Sequence, residues 1–219
     1  MTEKKYKSLE KKAIEAINRD GVILVFPINN KPEPHSLWSE LHPNKEMRWD
    51  WDVTGDNKVV DLWHLKTELS KTRKVVYSKW FRGRATYFSR DLFAACLRFE
   101  REYPHRLSRD SENLLSTLVS DSPLSTKQLK ALTELQGKMF EAQFNRSMKP
   151  LWERFKIVAY GEFEDSSFPS LGLAATQTLF EDLLEESDSL TLNEAQFKIK
   201  KAMPEGSPFF KFWNQIFKN

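Results

Sequence analysis

The sequence is poor in cysteine and glycine, with one cysteine and seven glycines among 219 residues. A single thiol cannot form an internal disulfide, which is typical of proteins in a reducing compartment. Because Cys96 lies in the apolar run 92–97 with no base partner near it in the sequence, we expect a buried core thiol rather than a nucleophile. The glycines are scattered, and they form no phosphate-binding loop of the G-x-G-x-x-G or Walker kind.

Histidines, long apolar runs and excess charge of one sign are also scarce. The four histidines never lie three or four residues from one another or from the cysteine, so we expect no metal ion. No apolar run approaches the length of about 20 residues that a membrane span needs, so we expect no membrane partner. The N-terminus leads into an amphipathic helix, which favours a cytoplasmic location. The net charge is only +3, and no motif indicates a cofactor.

Aromatic residues, by contrast, are plentiful. Seven Trp and sixteen Phe argue against disorder, because disordered chains contain few aromatic residues. The hydrophobic periodicity predicts an α+β, mainly helical protein. We predict an α+β N-terminal region over 1–106, a winged-helix domain over 107–186, and a helical, aromatic C-terminal extension over 187–219 that packs on the body.

The second half shows the element order of a winged helix: helix, turn, helix, turn, helix, strand, loop, strand. The predicted segments are a helix over 108–120, a short helix from 126 to 137, a longer helix from 140 to 155, and strands over 157–160 and 171–175. Ser125 and Gln128 have the form of a capping box at the start of the short helix. That helix carries its apolar residues at Leu129, Leu132 and Leu135.

The first half is predicted to contain a similar succession of helices and strands. The predicted segments are a helix over 6–19, a strand over 22–26, a helix over 59–70, strands over 75–77 and 85–88, and a helix over 90–103. Ser89 has the position of a cap for the last of these. The aromatic stretch 28–58 predicts an ordered segment that packs over the first core. A second, degenerate winged helix in this half is a further hypothesis.

Charge is unevenly distributed along the chain. Residues 71–109 contain eleven Lys and Arg against three acids, a difference of +8, whereas residues 162–194 contain nine acids and no Lys or Arg. Aromatic residues are interleaved with the cations, a pattern that suits contact with phosphates and bases. The alternative is that the aromatics are core and the arginines a solvated face. The candidate residues for holding a DNA backbone are Lys79, Arg82, Arg84 and Arg90.

The longer helix of the second half is a second candidate surface. Gln143, Arg146 and Lys149 lie off its apolar face, and such side chains can read base edges in a major groove. Pro150 should kink or break this helix and so disturb the fit in the groove. The loop 161–169 is acidic and would repel phosphate. An alternative is therefore that this half binds a protein, or the basic stretch of its own chain.

Four segments carry a resemblance to a known family: Gly21–Pro27, Ser36–Trp38, Val75–Ser89 and Leu114–Gly161. Together they resemble the bacterial AlkZ-related proteins, relatives of the winged-helix DNA glycosylases of the AlkZ and YcaQ kind. The resemblance implies a fold of winged helices and a link to DNA repair. Those glycosylases work through a Gln-x-Asp or Gln-x-Gln motif that positions a water at the glycosidic bond. None of the six glutamines here has Asp or Gln two residues on.

Three functional hypotheses follow. The first is non-catalytic binding of double-stranded DNA, which the missing motif favours over an enzyme. The second is a protein-interaction module that contacts a protein partner through the aromatic tail or the acidic flank. The third is a glycosylase-like hydrolase whose catalytic residues have moved.

Overall fold

The computed structural model describes residues 3–48, 57–165 and 169–217, which are mainly helical with two small antiparallel sheets. The α+β, mainly helical class predicted from the sequence is confirmed. Trp49 and Trp51 of the predicted aromatic stretch lie outside the described residues, while Trp38 is buried in the core. In the described part of the chain, no helix has the length and apolar character to cross a membrane.

The elements of the first half are α1 (Glu3–Asp20), β1 (Val22–Leu24), α2 (Leu37–Leu41), α3 (Asn57–Lys71), β2 (Val76–Ser78) and β3 (Thr86–Phe88). Gly21 ends α1, and its φ of +77° lies in the left-handed region, where side chains are disfavoured. A Cβ at this position would also lie 2.8 Å from the Cβ of Ala202. The sharp exit from α1 into β1 therefore depends on glycine.

Helix α4 (Arg90–Glu102) connects the two halves. It begins as predicted, since the Ser89 hydroxyl accepts a hydrogen bond from the backbone N–H of Leu92 at 3.2 Å. Its apolar face is buried and includes Cys96, which has no exposed surface. Burial raises the pKa of the Cys96 thiol well above its ordinary value. The expectation of a buried core thiol is therefore confirmed.

The second half and the tail supply the remaining elements. These are α5 (Arg109–Asp121), β4 (Leu124–Ser125), α6 (Thr126–Leu132), α7 (Glu141–Glu153), β5 (Ile157–Phe163), β6 (Ser170–Ala175), α8 (Thr176–Leu179), α9 (Glu181–Ser189), α10 (Leu192–Ala202) and α11 (Pro208–Phe217). The predicted capping box is present: the N–H of Gln128 donates to the Ser125 hydroxyl at 3.0 Å, and the N–H of Ser125 donates to Gln128 Oε1 at 2.8 Å.

Both halves contain the same order of elements. Each runs helix, strand, helix, helix, strand, strand, and each forms a three-stranded sheet in which the third strand lies between the other two. The orders are β1-β3-β2 and β4-β6-β5, with Tyr77 opposite Tyr87 in the first sheet and Val158 opposite Ala174 in the second. The described chain thus contains two units of one topology, connected by α4 and followed by α8 to α11.

Strand β5 joins the two units, because it packs against both β2 and α3. The Nζ of Lys66 on α3 lies 2.7 Å from Oε1 of Glu162 on β5, and the Lys66 side chain is 4% exposed. Close by, the N–H of Gly161 donates to the Ser70 hydroxyl at 2.8 Å. A Cβ on Gly161 would lie 2.6 Å from Cε of Lys71. The units therefore meet through a closely fitted contact.

The aromatic residues of the tail pack on the same body. Trp80 has no exposed surface, and its ring centroid lies 5.1 Å from that of Phe212 and 6.4 Å from that of Trp213. Phe155, from the end of α7, completes the cluster at 6.0 Å from Trp80. Both hydrophobic cores contain residues of both halves. The domain boundaries drawn from the sequence stay a prediction.

Two local predictions are wrong. Leu132 is 58% exposed, because α6 ends there and the chain turns away through Glu134, whose φ is +58°. Pro150 does not break α7, since it lies in the last turn and the helix continues to Glu153. After β6 the chain forms two helices, α8 and α9, because Phe180 between them leaves the helical region at φ −127°, ψ 49° and is buried in the core.

Candidate nucleic-acid interface

The turn between β2 and β3 presents the basic residues predicted to hold a DNA backbone. Arg82 and Gly83 have φ of +53° and +72°, so the chain reverses tightly, and the N–H of Arg84 donates to the Phe81 carbonyl at 2.9 Å. This places Arg82 and Arg84 in solvent. Arg82 lies over the Phe81 ring, with its Cζ 5.4 Å from the ring centroid.

The aromatic residues around this turn belong to the core. The four that interleave with the cations are each no more than 1% exposed: Trp80, Phe81, Tyr87 and Phe88. The interpretation in which the aromatics are core and the arginines form a solvated face is therefore confirmed. An exposed platform for stacking on bases is not present at this turn.

Lys79 differs from the two arginines because it is partly buried. Burial lowers the pKa of its ammonium group, and the nearby Lys66 lowers it further. Within residues 3–48, 57–165 and 169–217, no carboxylate lies within ion-pair distance of Lys79. A cation that is desolvated and repelled by a neighbour favours an anion in its vicinity.

The candidate residues on α7 have different surroundings. The Gln143 amide donates to Asp110 Oδ2 at 2.8 Å, so this side chain already has a partner. Lys149 lies 3.8 Å from Glu153 and is 71% exposed. Arg146 is exposed, and it forms no ion pair with any residue that the structure describes. Arg146 and Lys149 are therefore available to a ligand, whereas Gln143 would first have to release Asp110.

One cavity brings residues of the two candidate surfaces together. Its volume is about 550 Å³, and it lies between the β2–β3 turn and α7; we call it the central cavity. Lys79 and Arg82 line it from the turn, and Asn145 and Lys149 line it from α7. The other lining residues are Trp80, Gly83, Thr126, Phe144, Met148, Trp152, Glu153, Leu171, Leu173 and Phe212. Of the predicted residues, Arg84, Arg90, Gln143 and Arg146 do not line it.

Arg90 is used within the protein. Its Nη1 donates to the backbone carbonyl of Arg73 at 2.8 Å, and its Nη2 pairs with Asp182 on α9. Arg101 on α4 pairs with Asp188 on the same acidic helix. The acidic stretch of the sequence therefore contacts the basic stretch of its own chain, as one of the alternatives proposed.

Glu164 in the loop between β5 and β6 is exposed, but two other acids of this region, Glu162 on β5 and Asp165 in the loop, bind groups of the chain itself. Glu162 pairs with Lys66, and it accepts a hydrogen bond from the Trp63 indole at 3.2 Å. Asp165 accepts a hydrogen bond from the Ser125 hydroxyl, and its backbone carbonyl accepts one from Lys127 at 3.0 Å. These acids are bound to groups of the chain itself, so they repel an approaching phosphate less than free carboxylates would.

A comparison with protein families decides what this chain is related to. The model of a family described as AlkZ related matches residues 8–209. The chain belongs to the AlkZ-related family. The match covers most of the chain and confirms the resemblance inferred from four sequence segments. Neither the curated proteins nor the solved structures give a significant match.

This AlkZ-related protein carries one carboxyl group in the central cavity, that of Glu153, among the lining residues described. Burial raises its pKa, and the nearby charges of Lys149 and Arg154 only partly oppose this. Glu153 was not among the residues predicted from the sequence. Its position four residues after Lys149 on one helix was the available signal, because residues four apart lie on the same face.

Two further groups of the cavity were also missed. The indole Nε1 of Trp80 is buried and has no hydrogen-bond partner among the residues that the structure describes. Phe212 reaches the cavity from α11, which is far along the chain from either candidate surface. No local pattern identifies such groups, because their role depends on how distant segments pack together.

Proposed function

We propose that this protein binds double-stranded DNA without breaking a covalent bond, and that the duplex lies over the central cavity. The observation that carries the proposal is that Lys79 and Arg82 from one unit and Lys149 from the other line a single cavity. Cations from separate elements around one depression attract a polyanion more strongly than the same charges dispersed over a surface.

We further propose that both units are winged helices. The shared element order and the shared strand order support this, as does membership of the AlkZ-related family. In such a unit α7 corresponds to the third helix, the one that helix-turn-helix proteins place against DNA. Its exposed residues Arg146 and Lys149, together with Asn145, form the second half of the proposed contact.

The proposed contact set differs from the one chosen on sequence alone. Arg84 and Arg146 are retained as exposed cations that neighbour the cavity residues in sequence. Arg90 is omitted, because it is paired with Asp182. Gln143 is omitted, because its amide is bound to Asp110. We also propose a link to DNA repair, which rests on the family alone.

The test is the binding of a labelled duplex of about 20 base pairs, measured by fluorescence anisotropy at about 50 mM and about 200 mM salt. We expect affinity to fall steeply with salt, since phosphate contacts release counterions. The double variant Arg82→Glu/Arg84→Glu should weaken binding by about tenfold or more at low salt, because two attractive charges become repulsive.

The matched control is Arg106→Glu/Arg109→Glu. Both arginines are exposed, belong to the same basic stretch of sequence, and do not line the central cavity. The control variant should therefore bind nearly as well as the wild-type protein. Absence of binding at low salt, or equal loss in the two variants, would contradict the proposal. Salt-independent capture of a protein partner would instead favour an interaction module.

A second candidate is a hydrolase in which Glu153 activates a water. A carboxyl group with a raised pKa in a cavity has the properties of a general base or acid. This candidate predicts release of free base from alkylated duplex DNA by the wild-type protein and loss of release in Glu153→Gln. If the wild-type protein releases no base, the binding function stands alone.

A further inference from the structure

We propose that the central cavity holds a single nucleotide unit, an aromatic base with its phosphate, either as a free mononucleotide or as one unpaired nucleotide of a DNA strand. The inference rests on the proposed DNA-binding function and names the ligand that the cavity within that surface takes. Four features of the cavity carry it: its size and walls, its cations, an unpartnered donor, and its one carboxyl group.

The first feature is the size and the walls. A volume of about 550 Å³ falls within the range of about 300–1,000 Å³ that is usual for small-molecule sites. Met148, Trp152 and Phe212 contribute apolar surface to the wall, each with less than a tenth of its own surface exposed. An apolar wall suits the face of a planar base better than it suits a hydrated ion.

The second feature is the pair of cations at the β2–β3 turn. Lys79 is partly buried and has no carboxylate partner in the described part of the chain, while Arg82 is exposed at the rim. Gly83 beside them has open space around its Cα, so the rim is not crowded. A phosphate between these side chains would neutralise a cation that burial now leaves uncompensated.

The third feature is the indole N–H of Trp80. It is buried, it belongs to a residue that lines the cavity, and it has no acceptor among the described residues. Buried donors in folded proteins nearly always have a partner, so a lone one beside a cavity indicates a missing acceptor. Every nucleobase carries ring-nitrogen or carbonyl acceptors on its edge. Because Trp80 has no exposed surface, one of these acceptors reaches its N–H only when the side chains that cover the indole move aside.

The fourth feature is Glu153. Its carboxyl group supplies an acceptor for the amino group of a base, and when ionised it repels a second anionic group. Lys149 lies 3.8 Å away and partly balances this charge. The cavity therefore discriminates against a ligand made of phosphate groups alone and favours one that joins a polar base to one phosphate.

The experiment follows the indole N–H resonance of Trp80 by NMR in ¹⁵N-labelled full-length protein. Deoxynucleoside monophosphates, inorganic phosphate, a fully paired duplex, and the same duplex with one unpaired nucleotide are titrated separately. The Trp80→Phe variant identifies the resonance. The matched control is Trp63→Phe, since Trp63 is 42% exposed and its indole donates to Glu162.

We expect the Trp80 resonance to move with a mononucleotide or with the unpaired duplex, and not with phosphate alone. Movement with mononucleotides identifies a site for free nucleotides, and movement only with the unpaired duplex identifies a site for a strand. Trp80→Phe should weaken binding of the ligand that moves the resonance by about three- to tenfold, the effect of one neutral hydrogen bond. Lys79→Gln should weaken the same ligand without disturbing the aromatic core.

The outcomes separate this inference from the DNA-binding proposal. If the paired duplex binds but no nucleotide moves the Trp80 resonance, the inference is overturned and the DNA-binding proposal stands. If a mononucleotide moves the resonance while no duplex binds, the site stands and the DNA-binding proposal fails. If phosphate alone produces the full movement, the cavity is an anion site, and the nucleotide inference is overturned.

Discussion

At the scale of single residues, burial decides which side chains are available for function. Arg82 and Arg84 lie in solvent, while Trp80 and Phe81 beside them are enclosed in the core. A sequence shows that the four are neighbours but not which of them face outward at a turn. That arrangement depends on the left-handed backbone of Arg82 and Gly83, which no residue pattern in the sequence indicated.

Glu153 gives a prediction at this scale. In the folded state the pKa of Glu153 is raised above the ordinary 4.5. At a pH between the pKa of the unfolded chain and that of the folded protein, the folded protein therefore holds a proton that the unfolded chain has lost. The free energy of unfolding therefore falls as the pH rises through this window. Glu153→Gln removes the effect, and the variant should gain stability over the wild type as the pH rises above 4.5.

Urea unfolding at a series of pH values measures this difference. Below the ordinary carboxyl pKa, wild type and variant should be equally stable, because Glu153 is then protonated in both states. Glu205→Gln, at an exposed position, is the matched control for the loss of one carboxyl group. A difference between Glu153→Gln and wild type that stays constant with pH would contradict a raised pKa of Glu153.

Glu153→Gln should also bind DNA more tightly, by up to about fivefold, the effect of one partly screened charge.

At the scale of elements, local signals made most helix starts predictable. Ser89 and Ser125 were recognisable as caps because a cap depends on a residue and the three that follow it. Helix ends and breaks were harder: the break at Phe180 follows from burial of its ring in a distant core. Strand β4 is only two residues long, too short to produce an alternating pattern.

The capping box of α6 gives a prediction at this scale. Ser125 has no exposed surface, and its hydroxyl accepts from Gln128 and donates to Asp165. Ser125→Ala should therefore lower the free energy of unfolding by about 1–2 kcal/mol. Thr191 caps α10 with the same motif but is exposed, so Thr191→Ala should cost less, about 0.5–1 kcal/mol. Equal losses in urea unfolding would show that the buried hydroxyl adds nothing.

At the scale of the whole molecule, the positions of charges along the chain predicted only part of how charged residues are arranged in the fold. The sequence predicts a basic stretch and an acidic stretch, but not that Arg90 and Arg101 pair with acids of α9. The sequence also could not predict that Lys79 and Lys149 line one cavity, because this depends on how the two units pack. The candidate surfaces were therefore predictable one by one, and their combination was not.

The contact between the units gives a prediction at this scale. Lys66→Met leaves Glu162 without its cation in a largely buried place, and should destabilise the protein by about 3–5 kcal/mol. Removing both charges with Lys66→Met/Glu162→Gln should recover part of that loss, since no uncompensated charge remains. Thermal or urea unfolding measures both variants.

The control for that contact is the exposed pair of Lys11 and Glu15, whose side chains are 79% and 63% exposed. Lys11→Met should change stability by less than about 1 kcal/mol, as surface pairs do. If Lys66→Met costs no more than Lys11→Met, the buried pair does not hold the units together.

The packing of α11 on Trp80 also determines when the aromatic core can be completed during synthesis. Trp80 and Phe212 are in contact, but 132 residues (212 minus 80) separate them along the chain. At about 5–20 residues per second, a ribosome needs roughly 7–26 s to add that length. Throughout this interval Trp80 and Phe81 lack the partners that enclose them, so the nascent chain presents an aromatic surface that molecular chaperones recognise.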